Sequence, residues 1–340
     1  MTCSLSVSRD FFNYYFVKWG LKEKSRLTLN THPDPIVLSI NAGQVKYSKG
    51  LLKSIFRLVR NKNIRYYADT GKISVYSRDQ RSSMEMELDI DALETVEAML
   101  SCGGKCEDVE RDLFMITFDN DLKFLIRKVP VADIATLKET MLDGEYAFLY
   151  PYVKGKAVLD IGAYIGDTSI MFCLNGAKTI AAYEPDPLLF DICSRNIRLN
   201  GMASKIDVRN YGVSDKEGLI NEKGYSFIGP ELLFDREKHF ISGETRMKIL
   251  SFSKIIEQMQ EIDVLKMDCE GAEFPAILST PPGLLKRITA IGMECHDDPE
   301  PLIDHLKKAG FKVEIKKEIK TRDKHLTILF AARDRDTTRK

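Results

Sequence analysis

Between Ala157 and Pro185 the chain reads Ala-Val-Leu-Asp160-Ile161-Gly162-Ala163-Tyr164-Ile165-Gly166-Asp167-Thr168, then an apolar stretch, then Ala181-Ala182-Tyr183-Glu184-Pro185. Gly162 and Gly166 let the backbone turn tightly and approach a ligand closely. Glu184, 22 residues after Gly162, can accept hydrogen bonds from two neighbouring hydroxyls such as those of a ribose. A dinucleotide site needs G-x-G-x-x-G with a diphosphate on the helix N-terminus, but here Tyr164 holds the middle position and Asp160 and Asp167 bracket the turn. Those carboxylates would repel a diphosphate. They suit an adenosine-containing ligand that is itself cationic, one carrying a sulfonium and an α-amino group.

A second concentration of chemistry lies downstream. Lys266-Met267-Asp268-Cys269-Glu270-Gly271-Ala272-Glu273 and Gly292-Met293-Glu294-Cys295-His296-Asp297 each follow a short apolar run of strand type. In an open parallel sheet, ligands sit outside the carboxyl ends of the strands, so Asp268, Glu270, Glu273, Glu294 and His296 should share one rim. That much like charge needs a cationic ligand, a metal or shifted pKa values. Asp268 and His296 are the candidates for a general base, His296 because its ordinary pKa lies near neutrality. Asp268, Glu294 and His296 are also a possible ligand set for Mg²⁺ or another divalent ion holding a deprotonated diol. Glu273 reads equally as a first-turn residue that complements a helix dipole.

The elements that must position these residues alternate strand and helix. Strands are expected at Ala157 to Ile161, Thr179 to Glu184, Lys205 to Arg209, Val264 to Met267, Thr289 to Glu294, Lys312 to Lys316 and Leu326 to Ala331. Helices are expected at Asp167 to Leu174, Pro187 to Asn200, Ser253 to Met259, Glu273 to Ser279 and Glu300 to Ala309. The last two strands follow each other too closely for a crossover, so they should pair antiparallel. This is an α/β fold: a doubly wound, seven-stranded, mostly parallel, Rossmann-like sheet over residues 156–333, with a tail at 334–340. Residues 128–155 form a helical lead-in, and residues 1–127 an N-terminal α+β region of unassigned fold. In that region Ile36 to Ile40, Ile73 to Tyr76 and Met84 to Leu88 read as strands, and Leu51 to Val59 and Ile90 to Leu100 as helices. Phe114 to Phe118 and Leu122 to Arg127 read as a hairpin around Asn120-Asp121. Gly224 to Met247 reads as a lid or a surface excursion.

Composition bounds the class. With 340 residues and 44% hydrophobic content, the chain can bury about two domain cores. Formal net charge is zero, yet Met1 to Arg65 holds twelve Lys/Arg against three acids, a local +9. Seven scattered cysteines read as reduced thiols of a cytoplasmic protein. Cys102 and Cys106 lack the second pair that a zinc site would want. No apolar run approaches the ~18 residues of a membrane span, and Phe11 to Trp19 is read as helix-packing surface.

Asp-x-Gly-x-x-x-Gly followed by a carboxylate closing the next strand resembles the class I S-adenosylmethionine (SAM) methyltransferases. The run Lys266 to Glu273 resembles the K-x-D-x-E-G-x-E signature of the FkbM-type methyltransferases. Asp143-Gly144-Glu145-Tyr146, Glu184-Pro185-Asp186, Asn196 to Asn200, Ser214 to Gly218 and Glu294-Cys295-His296 match the same family's pattern, over about Asp143 to Ala331. The resemblance implies methyl transfer from SAM to an oxygen, usually a hydroxyl of a sugar or other small metabolite or glycan. It implies catalytic roles among Asp268, His296, Glu294 and Glu270. It also implies cofactor contacts from Asp160, Gly162, Ala163, Tyr164, Gly166, Asp167, Thr168, Glu184, Pro185 and Asp268, with Tyr211 to Ser214, including Gly212 and Val213, facing the adenine. Two alternatives stay open. An RNA methyltransferase could use the +9 segment to track phosphates, although no Asn/Asp-Pro-Pro-aromatic sequence follows the fourth strand as in enzymes that methylate base amino groups. A non-catalytic SAM-binding protein would have little need of the acidic rim.

Overall fold

Val264 to Met267 is only four residues long and buried throughout, and Ala157 to Ile161 is buried at all five positions. Strands buried on both faces must lie inside a sheet that is covered on both sides, even though Asp160 and Lys266 interrupt their apolar runs. The computed structural model describes residues 24–29, 36–41, 64–69, 72–77, 83–87, 105–110, 112–118, 120–127, 132–221, 246–320 and 325–333. By contact density the chain divides into Met1–Leu142 and Asp143–Lys340.

The first unit is described as strands β1 (Lys24–Leu29) to β8 (Lys123–Arg127). β1 pairs with β2 (Ile36–Asn41), and two three-stranded antiparallel sheets follow: β3 (Ile64–Asp69), β4 (Lys72–Ser77), β5 (Ser83–Glu87), then β6 (Lys105–Glu110), β7 (Leu113–Thr117), β8. The expected hairpin is β7–β8, with Thr117 opposite Lys123 and Asp121 at φ 63° in the turn. Helix α1 (Ala132–Leu137) packs on β8, where buried Asp133 accepts from the Arg127 backbone and guanidinium. The helices expected at 51–59 and 90–100 lie outside the described residues.

In the second unit, a 3₁₀ turn (Ala147–Leu149) and α2 (Tyr150–Val153) lead into β9 (Ala157–Ile161). There follow α3 (Asp167–Leu174), β10 (Thr179–Tyr183), α4 (Pro187–Leu199) and β11 (Ile206–Arg209). Next come β12 (Gly212–Ser214), β13 (Gly218–Asn221), β14 (Arg246–Ser251), α5 (Phe252–Gln258) and β15 (Val264–Met267). The unit closes with α6 (Glu273–Ser279), α7 (Pro282–Leu285), β16 (Ala290–Cys295), α8 (Glu300–Lys308), β17 (Lys312–Lys320) and β18 (His325–Ala332). The main sheet runs β11-β10-β9-β15-β16-β18-β17. All pairs are parallel except those of β18 with β16 and β17, so the predicted antiparallel final hairpin is present. Strand order reverses between β9 and β15, and there the carboxyl ends diverge to leave room for a ligand. α4 starts where it should: Pro187 takes the first helical position, and Asp186 caps the helix by accepting from the N–H groups of Leu188 and Leu189.

Three features differ from the sequence reading. β12, β13 and β14 form a small sheet of their own, because three- to six-residue runs beside glycines carry too little periodicity to be recognised. β17 continues to Lys320 with a bulge between Ile315 and Lys317; its charged, exposed edge position hides the alternation expected of a strand. β10 ends at Tyr183, so Glu184 stands just beyond the strand, free to turn toward the ligand side. The expected lid, Gly224 to Met247, lies outside the described residues up to 245. Among the described residues no helix is long and apolar enough to cross a membrane.

Gly162 is required by packing as well as by any ligand. Its φ is 76°, and a Cβ there would stand 1.6 Å from the Asp268 carbonyl oxygen. Gly155 has a similar φ of 70° with nothing within 4 Å of an added Cβ. Gly155→Ala should therefore cost about 1 kcal/mol, the left-handed strain alone. Gly162→Ala should cost more than about 3 kcal/mol, because the β15 backbone must also move. Urea unfolding of both variants checks this; equal losses would refute the packing role.

Candidate active site

The β9–α3 turn carries the first group of predicted residues. Asp160 is fully buried, and its Oδ2 accepts from Thr168 Oγ1 at 2.8 Å and Ser169 Oγ at 2.6 Å. Its Oδ1 has no hydrogen-bond partner, although Lys266 Nζ stands 3.5 Å away. A buried carboxylate oxygen left without a donor suits an incoming ammonium. Ala163 is buried, Gly166 adopts φ 88° as the residue preceding α3, and Asp167 and Thr168 are buried in that helix's first turn. Asn196 of α4 pins the turn by donating to the Ile165 carbonyl at 2.9 Å.

Glu184 is held from below. Tyr164, at a φ of 51° unusual for a side-chain-bearing residue, aims its N–H at Glu184 Oε2 (2.9 Å), and the Asp186 N–H takes Oε1 at 2.9 Å. Burial outweighs these bonds and pushes the Glu184 carboxyl up to about 8. Asn210 fixes the chain on either side by donating to the carbonyls of Glu184 and Pro185, both at 2.9 Å. Gly212 begins β12, where a Cβ would meet Ile249 Cδ1 at 2.5 Å, and the Val213 side chain is buried in the core. Tyr211 carries the Lys248 ammonium 6.0 Å from its ring centre.

Lys266 stands between the two groups. It sits in the buried strand β15 opposite Asp160, donates to the Gly162 carbonyl at 2.6 Å, and lies 4.0 Å from Asp268. Burial would lower its pKa, but the carboxylates of Asp160 and Asp268 more than offset that and raise it, so the ammonium stays charged.

The rim residues do come together. Asp268 follows β15, and its N–H donates to the Ile161 carbonyl at 3.0 Å. Burial and the neighbouring Glu294 push its carboxyl well above the usual range. Glu273 is fully buried at the start of α6; Oε1 accepts from the His296 backbone N–H (2.9 Å) and meets Nδ1 at 3.0 Å, while Oε2 accepts from the Gly271 N–H at 2.9 Å. Bonding to His296 holds Glu273 below its ordinary pKa despite burial. His296 Nε2 then faces Glu270 Oε2 at 3.3 Å and Glu294 Oε1 at 3.4 Å. Burial alone would lower His296, yet Glu273, Glu294, Asp268 and Glu270 raise it to about 11. An imidazolium is a donor rather than a base, which alters the expectation attached to this residue. Glu273 thus does more than complement a helix dipole: it orients the histidine. Ligand atoms of Asp268, Glu294 and His296 all lie within 4.8 Å of one another.

Sequence reasoning left three participants without a role. Ser169 shares Asp160 with Thr168, and nothing in its spacing announces that. Lys266 carried a readable signal, a lysine inside an otherwise apolar strand. Tyr146 is 3% exposed, with a hydroxyl lacking any hydrogen-bond partner, and its position ahead of the first sheet strand offers no periodicity to flag it.

A parallel sheet reversing at β9/β15, a glycine turn over a buried aspartate, and a carboxylate beyond the next strand define a class I methyltransferase architecture. Residues 160–313, a little under half of the chain, match the family model of the methyltransferase FkbM domain. Among solved structures, the fold is similar to methyltransferase FkbM from Methylobacillus flagellatus (15% identity, 59% of this chain and 54% of that one, TM-score 0.37). It is also similar to M. capricolum TrmK, solved with S-adenosylhomocysteine (13% identity, 57% and 70%, TM-score 0.36). A third similar structure is precorrin-6y C5,15-methyltransferase from Geobacter metallireducens (15% identity, 62% and 90%, TM-score 0.34). A comparison with curated proteins gives no match.

Glu184 supplies a pH test. Its folded pKa of about 8 lies above the ordinary 4.5, so between those values the native state binds more protons than the unfolded chain. Its stabilising contribution is complete below pH 4.5 and is lost as pH rises through 8. In the ligand-free protein, Glu184→Gln should lower melting temperature at pH 5, where its NH2 meets one of the two backbone N–H groups that Glu184 accepts from, and that deficit should shrink or reverse near pH 9. Parallel melting curves for the two proteins across that range would contradict the assignment.

Proposed function

We propose that the protein transfers a methyl group from SAM to a hydroxyl of a sugar or other small metabolite. The observation that carries this reading is Asp268. Its carboxylate follows β15, the strand beside β9 with its Asp160 and glycine turn, while Glu184 follows β10 on the other side of β9.

The buried Oδ1 of Asp160, which accepts no hydrogen bond and has the Lys266 ammonium 3.5 Å away, fits an α-ammonium, and the remaining lone pairs of Glu184 fit two ribose hydroxyls. The turn from Gly162 to Thr168 and the segment from Tyr211 to Ser214, with Pro185 between them, would enclose the rest. When bound, SAM supplies a methyl carbon activated by a sulfonium. The chain's own residues then orient the acceptor and remove its proton. Asp268 takes the hydroxyl proton while the oxygen–carbon bond forms; the carbon–sulfur bond breaks and its electron pair stays on sulfur. Raised basicity suits Asp268 to that step. His296, charged and anchored by Glu273, holds Glu294 and Glu270 in place around it.

A second reading, exclusive of a charged His296, places a cation at the same residues. The ligand atoms of Asp268, Glu294 and His296 are close enough to share one divalent ion, and Glu273 on Nδ1 leaves Nε2 turned toward it, the arrangement by which carboxylates orient metal-binding histidines. Such an ion would require neutral His296 and would hold two adjacent acceptor oxygens.

Incubation with methyl-labelled SAM and fractions of hydroxylated metabolites should yield labelled ethers. S-adenosylhomocysteine binding without transfer to any fraction would favour a binding protein instead. Asp268→Asn should cut turnover by about 10²- to 10⁴-fold, well beyond any loss of S-adenosylhomocysteine affinity. Glu184→Ala should weaken that affinity by about 1–3 kcal/mol in calorimetry. Turnover lost in EDTA and restored by Mg²⁺ supports the ion; full turnover in chelator removes it and leaves the methyl transfer standing.

A further inference from the structure

Tyr146 stands immediately before the 3₁₀ turn at Ala147–Leu149, outside the residues that match the family model. Its ring is buried, with Phe148 at 6.1 Å between ring centres and the Lys266 ammonium 5.5 Å from the ring centre. Its hydroxyl is inaccessible and makes no hydrogen bond, one of three such buried side-chain atoms among the described residues. Asp268 is the foremost charge acting on that hydroxyl, followed by Glu294, Glu145 and Asp160. Burial and these carboxylates raise the phenol well above its ordinary pKa, so it remains a donor. The ring thus packs against the same Lys266 ammonium that lies 4.0 Å from Asp268, and a buried donor without an acceptor costs stability unless a ligand completes it.

We propose that Tyr146 is a catalytic residue of the acceptor site, donating its hydroxyl hydrogen to the oxygen that becomes methylated. This rests on the methyl-transfer reading above and adds to it. A hydroxyl has one hydrogen and two lone pairs. With the hydrogen on Asp268 and one lone pair on Tyr146, the other lone pair is left to attack the methyl carbon. The proton passes to Asp268, the oxygen gains the methyl group, and the phenol keeps its own hydrogen throughout. A neutral amine has a single lone pair, which cannot both accept from Tyr146 and attack. Tyr146 therefore selects oxygen acceptors over nitrogen ones.

The test compares wild type with Tyr146→Phe, using methyl-labelled SAM and the hydroxylated-metabolite fraction that the wild type labels. Loss of an unpaired buried hydroxyl should leave the melting temperature of the ligand-free variant equal or higher. Calorimetric affinity for S-adenosylhomocysteine should stay within about twofold, and initial methylation rate should fall about ten- to hundredfold. A variant as fast as an active wild type overturns the role of Tyr146 while leaving the methyl-transfer reading intact. A rate that falls in step with S-adenosylhomocysteine affinity assigns the phenol to the cofactor, and one that falls in step with melting temperature assigns it to the scaffold; either overturns the proposal. A wild type that labels no fraction removes the methyl-transfer reading and this inference with it.

Discussion

The ammonium of Lys266 is the interaction on which the site depends. It sits in the central strand of the main sheet, within 2.6 Å of the Gly162 carbonyl, 3.5 Å of Asp160 and 4.0 Å of Asp268. A charge so deeply buried is tolerable only where carboxylates and a carbonyl replace water, and those groups are the ones that define the two halves of the site. The same lysine fixes the glycine turn against the end of β15. Without it, Asp160 and Asp268 would face each other across adjacent strands with nothing between them.

Even so, the local charge is unbalanced. Asp160, Glu184, Asp268, Glu270, Glu273 and Glu294 are set against Lys266 and His296. The protein meets the excess in different ways at different places. Glu273 shares its charge with His296 and Gly271. Glu184 and Asp268 respond by raised pKa values, each near a place where a ligand would contribute positive charge or a proton. The unsatisfied oxygens of Asp160 and Tyr146 belong to the same pattern. Buried polar groups without a hydrogen-bond partner are uncommon, and these two lie where the proposed ligands would sit.

Much of this was legible in the sequence because the central strands are short, apolar and bounded by glycine and acidic residues. Asp160, Glu184, Asp268, Glu294 and His296 could be located from strand ends alone, since an open parallel sheet delivers strand ends to one rim. The pKa of His296 could not, because it depends on Glu273 and Glu270 arriving from a turn whose backbone includes Glu270 at φ 53°. Gly162 was visible as a turn residue, but its collision with the Asp268 carbonyl requires knowing which strands are neighbours. Tyr146 lies in the run Asp143-Gly144-Glu145-Tyr146 that matches the family's pattern, but nothing in that run assigns it a role. Its meaning comes from burial beside carboxylates more than a hundred residues away.

The account's central claim is that the turn after β9 and the carboxylate after β10 hold a cationic sulfur nucleoside. Titrating the purified chain in a calorimeter with SAM, S-adenosylhomocysteine, NAD and ATP tests it most directly. Saturable heat with the two sulfur nucleosides and none with NAD or ATP is the predicted result. Binding of NAD or ATP with no response to either sulfur nucleoside would contradict it.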